Sequence, residues 1–162
     1  MPVGIKKVAV MVDPTDAQIR DILAVFRPDY IQLHGSETPE RVRDIRASFS
    51  IPIIKAFKVR SADDVSEWGK YSKVADMMLF DARAPESALP GGNGLAFDWN
   101  LIKNRRITSP WLLSGGLNAT NVAEAIRVSG AKMVDVSSSI ESSPGVKDPA
   151  LIKEFIEAVK KA

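Results

Sequence analysis

Short apolar runs in this chain end, one after another, on residues that can do chemistry. His34-Gly35 follows Tyr30-Ile31-Gln32-Leu33, Asp81 follows Met77-Met78-Leu79-Phe80, Ser114-Gly115-Gly116 follows Trp111-Leu112-Leu113, and Ser137-Ser138-Ser139 follows Met133-Val134-Asp135-Val136. Ser114-Gly115-Gly116-Leu117-Asn118 leads into a helical pattern, so backbone N–H groups and a hydroxyl can be turned toward an anion, with phosphate the natural guest. An ordinary strand-to-helix turn is the plainer reading of the same residues. The serine run after the next strand points to the same corner, which favours phosphate. Gly92, Asn93 and Gly94 lie in a long irregular stretch and could close over that phosphate, or be a linker. Asp81 ends an apolar strand, where a carboxylate is costly to desolvate, and a carboxyl pKa raised there would suit a general acid. A helix cap or a salt bridge to Arg83 is the alternative. His34, the only histidine, could touch substrate or simply bond neighbouring backbone. Lys55, among Ile53, Ile54 and Phe57, would point into the site or snorkel from its mouth, either to contact substrate or to pair with Asp81 or another carboxylate.

The elements that must position these residues alternate strictly. The runs at 8–12, 30–33, 52–57, 77–80, 111–113 and 133–136 read as strands buried on both faces of a parallel sheet. Between and after them, helical spacing over about 15–26, 39–49, 62–70, 98–103, 119–128 and 149–160 supplies the crossovers, with Thr15 or Asp13 capping the first. Six strand-helix units make an α/β domain, and one domain over 1–162 is the expectation. An open doubly wound sheet and part of a (β/α)8 barrel both fit. In either, ligands bind at the carboxyl ends of the strands, where the polar residues stand.

Composition excludes several classes of function. The formal net charge is +2, from 22 basic and 20 acidic residues interspersed along the chain, which argues against nucleic acid or a membrane surface as partner. No apolar run reaches the length of a membrane span, and residues 1–7 lack the apolar centre of a signal peptide, so a cytoplasmic location is expected. The chain has no cysteine, hence no disulfide and no thiolate nucleophile or metal ligand.

Taken in order, the segments Gln32-Leu33-His34-Gly35, Ile54-Lys55-Ala56, Leu79-Phe80-Asp81, Gly91-Gly92-Asn93-Gly94 with Phe97-Asp98-Trp99, Ser114-Gly115-Gly116-Leu117-Asn118 and Val134-Asp135-Val136-Ser137-Ser138 resemble the phosphoribosylanthranilate isomerases, and Glu141, Pro144-Gly145 and Lys147-Asp148 continue the match. The resemblance runs from end to end of the chain. It implies the TIM (β/α)8-barrel family, here an incomplete barrel of about six βα units without the first two strands. It also implies the Amadori rearrangement of a phosphorylated sugar-anthranilate in tryptophan biosynthesis, with no cofactor and no metal. On this resemblance Asp81 is the general acid. Gly92, Asn93 and Gly94, Ser114, Gly115 and Gly116, and Ser137, Ser138 and Ser139 hold the phosphate.

The departures generate expectations of their own. The family's general base is a cysteine in a first strand of the type Lys-Ile-Cys-Gly, and an arginine in a later loop holds the anthranilate carboxylate; neither segment is present here. Ser139 stands at a usual glycine, where a side chain would crowd the phosphate or strain the backbone, and Asn93 replaces a usual Ser or Thr. The chain alone is therefore expected to be impaired or inactive. Its open sheet edges are expected to be covered in a homodimer or domain-swapped assembly. A non-catalytic phosphate-binding or assembly module, and another phosphosugar isomerase such as the histidine-biosynthetic relative, are the rival readings.

Overall fold

The computed structural model of the chain describes residues 4–82, 98–103 and 105–162. Its first half repeats one unit: β1 (Val8–Met11), α1 (Asp16–Val25), β2 (Tyr30–Leu33), α2 (Pro39–Phe49), β3 (Ile53–Val59), the short helices α3 (Ala62–Ser66) and α4 (Trp68–Tyr71), and β4 (Met77–Ala82). A 3-10 turn at Trp99–Leu101, β5 (Trp111–Ser114), α5 (Val122–Ser129), a second 3-10 turn at Ser138–Ile140, a hairpin of β6 (Glu141–Ser143) and β7 (Val146–Lys147), and α6 (Pro149–Lys160) complete the chain.

Local chemistry starts the helices where they start. Thr15 and Gln18 form a reciprocal capping box on α1, and Ser61 and Asp64 do the same on α3. Thr38 and Asp148 cap α2 and α6, each with a proline in the first turn that needs no N–H partner.

β1 to β5 lie side by side in chain order, all parallel. The segment 133–136 extends the sheet beyond β5, but only through a bridge of Val134 to Leu113, flanked by bonds from Leu113 N to Met133 O and from Asp135 N to Leu113 O. The order is that of consecutive barrel strands. No pairing joins β1 to 133–136 among the described residues, so the sheet is open. One face is covered by helices, and Ile19, Val42, Ile45, Val65, Val122 and Phe155 pack there on Ile31, Leu33, Ile53, Phe57, Phe80 and Leu113. The opposite face carries a small cluster of Ile54, Ala56 and Leu79 and then the polar strand ends.

Several expectations need correction. β1 is not buried on both faces: Val8 is 40% and Val10 61% exposed, because they lie on the face opposite the helices, which is left open beside β1, whereas Ala9 on the other face is 8% exposed. The helix expected over 62–70 breaks in two at Glu67, where the Ser66 hydroxyl bonds back to the Ala62 carbonyl, a pattern that bends helices. β3 runs two residues further than its apolar run, since Lys58 and Val59 pair with Asp81 and Ala82. α5 begins three residues late, after a turn in which the Asn118 carboxamide oxygen accepts from the backbone of Thr120 and Asn121. The β6–β7 hairpin was not expected; its turn is made by Gly145 at φ +81°.

Candidate active site

Strand parity decides which side chains meet, because successive residues face opposite sides of a sheet. Ile53, Phe57, Phe80 and Leu113 face the helices. Gln32, Ile54, Ala56, Leu79, Asp81 and Ser114 therefore face the other way, and the polar members of that set come together at the strand ends. A cavity of about 730 Å³ opens there. Gln32, His34 and Asp81 line one side, Ser114, Gly115 and Gly116 the base, and Asp135, Ser137, Ser138 and Lys147 the other side.

Asp81 and His34 are in contact, Nε2 to Oδ2 at 3.3 Å, and Nδ1 of His34 is met by the Gln32 carboxamide nitrogen at 2.9 Å. Both acidic and amide side chains are buried, Asp81 to 7% and Gln32 to 8% exposure. Asp81 pairs in register with Ser114, whose hydroxyl donates to Asp135 Oδ2 at 2.8 Å. A proton committed to Asp135 is not available to an anion, so Ser114 enters the cavity as an acceptor. Gly115 and Gly116 adopt φ of +94° and +64°, a turn that a side chain would strain, and this is where the glycines are needed.

Two expected site residues, Lys55 and Ser139, stand differently. Lys55 has the parity of Ile53 and Phe57, so it points to the helix-covered face and does not line the cavity. It is 2% exposed, and its ammonium donates to Glu37 Oε2 at 2.9 Å and to the carbonyls of Leu33, Gly35 and Ala56. It pairs with Glu37 instead of Asp81. Burial alone would push the Glu37 carboxyl up, but the Lys55 hydrogen bond and charge, with N–H donation from Asp13, hold it below the ordinary carboxylate range. Ser139 turns its hydroxyl onto the Leu117 carbonyl, away from the cavity, and its φ is not positive. The backbone strain expected at this position is therefore absent, and the side chain ties the 137–139 segment to the loop after β5. Gly92, Asn93 and Gly94 lie outside the described residues.

Two cavity residues were missed in the sequence. Asp135 carries the same signal as Asp81, a carboxylate within an apolar strand, in Val134-Asp135-Val136. Lys147 gave none, because ten residues and an unforeseen hairpin separate it from Ser137.

The chain matches the family model of N-(5'-phosphoribosyl)anthranilate (PRA) isomerase over residues 1–158. N-(5'-phosphoribosyl)anthranilate isomerase of Parvibaculum lavamentivorans is 50% identical over 165 aligned positions, covering 100% of this chain and 77% of the relative. That of Caulobacter vibrioides is 52% identical, covering 98% and 73%. Among solved structures, phosphoribosyl anthranilate isomerase from Thermotoga maritima superposes with a TM-score of 0.85 at 37% identity, over 100% of this chain and 76% of that one. A phosphoribosyl anthranilate isomerase in complex with reduced 1-(o-carboxyphenylamino)-1-deoxyribulose 5-phosphate superposes at 0.81 with 34% identity, over 100% and 75%. An open parallel sheet of successive βα units, a carboxylate, a serine-glycine loop and a serine run at its carboxyl end, and this similarity along its whole length make the chain a member of the N-(5'-phosphoribosyl)anthranilate isomerase family of tryptophan biosynthesis.

Proposed function

We propose that this chain supplies the general acid and the phosphate cradle for the Amadori rearrangement of N-(5'-phosphoribosyl)anthranilate. The observation that carries this reading is the shared cavity of Asp81 with the Ser114–Gly116 and Ser137–Ser138 loops. Asp81, protonated, gives its proton to the furanose ring oxygen as the C1–O bond breaks, and the anthranilate nitrogen donates its lone pair to C1 to make a protonated Schiff base. A base then takes the proton from C2, the electrons flow to the iminium nitrogen, and the resulting enol tautomerises to the ketone. Atoms balance without a redox cofactor. The backbone of Gly115 and Gly116 and the hydroxyls of Ser137 and Ser138 hold the phosphate, and His34 orients Asp81.

The resemblance assigns the C2 base to a cysteine, and these 162 residues contain none. A missing general base lowers the rate by about 100- to 10,000-fold. The chain by itself should therefore convert substrate barely above background. The test is the decay of substrate fluorescence with the chain alone and with a separately supplied segment of the family's first strand that carries the cysteine. Turnover only in the mixture supports the reading, and rapid turnover by the chain alone refutes the assigned base. Phosphate binding without turnover in either case favours the non-catalytic module.

The same reading extends to assembly and location. β1 has no second neighbour among the described residues, and Val8, Val10 and Val12 on its open face are 40%, 61% and 66% exposed; an open edge with apolar residues beside it invites a second strand. A second copy covering it is the assembly we infer. A charged phosphosugar substrate does not cross a bilayer unaided, which puts the reaction in the cytoplasm; no helix among the described residues is long and apolar enough to cross a membrane.

A further inference from the structure

We propose that Lys147 is the residue that positions the phosphate loop and supplies its positive charge. The inference rests on the phosphate reading above and adds a residue to it. Asp81 and Asp135 both line the cavity, and Lys147 is the only lysine or arginine among the described residues that does. A phosphate carrying nearly two negative charges would meet the Asp135 carboxylate there, so a cation on the same wall has an electrostatic task.

The geometry says how Lys147 performs it. Its ammonium donates to the Ser137 carbonyl at 2.9 Å, to the Ser137 hydroxyl oxygen at 3.3 Å and to Glu141 Oε1 at 2.6 Å. Three N–H groups are thus used on three acceptors. The bond to the carbonyl holds that oxygen, which would repel an anion, on the ammonium. The bond to the hydroxyl oxygen occupies a lone pair and leaves the Ser137 O–H to donate into the cavity.

Glu141 anchors this arrangement. It accepts from the Gly145 backbone at 3.1 Å, and the Lys147 hydrogen bond, then that N–H, hold its carboxyl below the usual range. The β6–β7 hairpin, closed by Asp148 N to Ile140 O at 2.9 Å, is what returns residue 147 to residue 137. Glu141, Pro144-Gly145 and Lys147 thereby acquire one common purpose.

The experiment is titration of the full chain with inorganic phosphate, followed by the amide resonances of Gly115, Gly116 and Ser138, with melting temperature recorded for each variant. Lys147→Met should weaken phosphate binding about tenfold, because the Ser137 carbonyl and hydroxyl are no longer held by the ammonium. Lys147→Arg should stay within about threefold. Melting should change little, since the Lys147 side chain is 44% exposed. A purely structural residue would lower melting with both substitutions alike. Ser137→Ala should weaken binding too, and adding Lys147→Met to it should cost less than in the unaltered chain, because the two act through one group. Phosphate binding by Lys147→Met equal to that of the unaltered chain overturns this proposal alone; no response of the unaltered chain overturns the phosphate site as well.

Discussion

Nε2 of His34 stands 3.3 Å from Oδ2 of Asp81, while the Gln32 carboxamide nitrogen reaches Nδ1 of the same ring at 2.9 Å. An amide N–H donating to Nδ1 leaves the proton of the neutral imidazole on Nε2, facing the carboxylate. Three residues from two strands thus form a chain that fixes the tautomer of the histidine and the direction of the acid.

The tautomer can be read directly, since His34 is the only histidine. Nitrogen-15 spectra of the imidazole at neutral pH should show the Nε2–H form in excess. Gln32→Leu removes the donor at Nδ1 and should bring the two tautomers closer to balance; an Nδ1–H form in the unaltered chain would contradict the chain of bonds.

Asp81→Asn should reduce turnover by the complemented enzyme about 100- to 10,000-fold, the usual contribution of a general acid. Inorganic phosphate affinity, measured in parallel, should not fall. Equal losses in both would mean that the substitution had disturbed the cavity and not removed an acid.

Removing one partner of the buried Lys55–Glu37 pair leaves an uncompensated charge in the core. Glu37→Gln should cost about 3–5 kcal/mol in urea unfolding, whereas replacing both residues with apolar ones of similar size should recover most of it. The pair also makes stability depend on pH. The Glu37 carboxyl is held below its unfolded value, so its contribution is complete above about pH 4.5 and is lost as the pH falls through the lower folded value. Acid titration of the unaltered chain should show that loss, and Glu37→Gln should lack it.

Gly35→Ala should destabilise the loop that carries His34. A Cβ at Gly35 would lie 2.5 Å from the Asp13 carboxylate, which accepts from Ser36 N at 2.7 Å and belongs to a residue already at φ +44°. The cost should be about 1–3 kcal/mol, read by thermal melting, with the His34 resonances displaced.

Val12→Lys places a charge beside the open edge of β1. Sedimentation should show the unaltered chain as a dimer and the variant shifted toward monomer; a monomeric unaltered chain would dispose of the assembly reading.

The strands and helices of this protein are legible in its sequence. Capping residues, prolines and runs of β-branched residues act within a few positions, so α2 and α6 and the strand 30–33 fall where local chemistry puts them. The candidate residues Asp81, Ser114–Gly116 and Ser137–Ser138 are legible as candidates because each ends an apolar run, and the fold gathers them around one cavity. Which way a side chain points is not. Strands buried on both faces are apolar at every position, so the alternation that reveals parity is erased, and Lys55 reads like its neighbours Ile54 and Ala56 while facing the other side. Partners distant in sequence are equally hidden: Glu37 for Lys55, Asp135 for Ser114 and Ser137 for Lys147 are chosen by where the sheet and the hairpin bring the chain back, and no local preference encodes that.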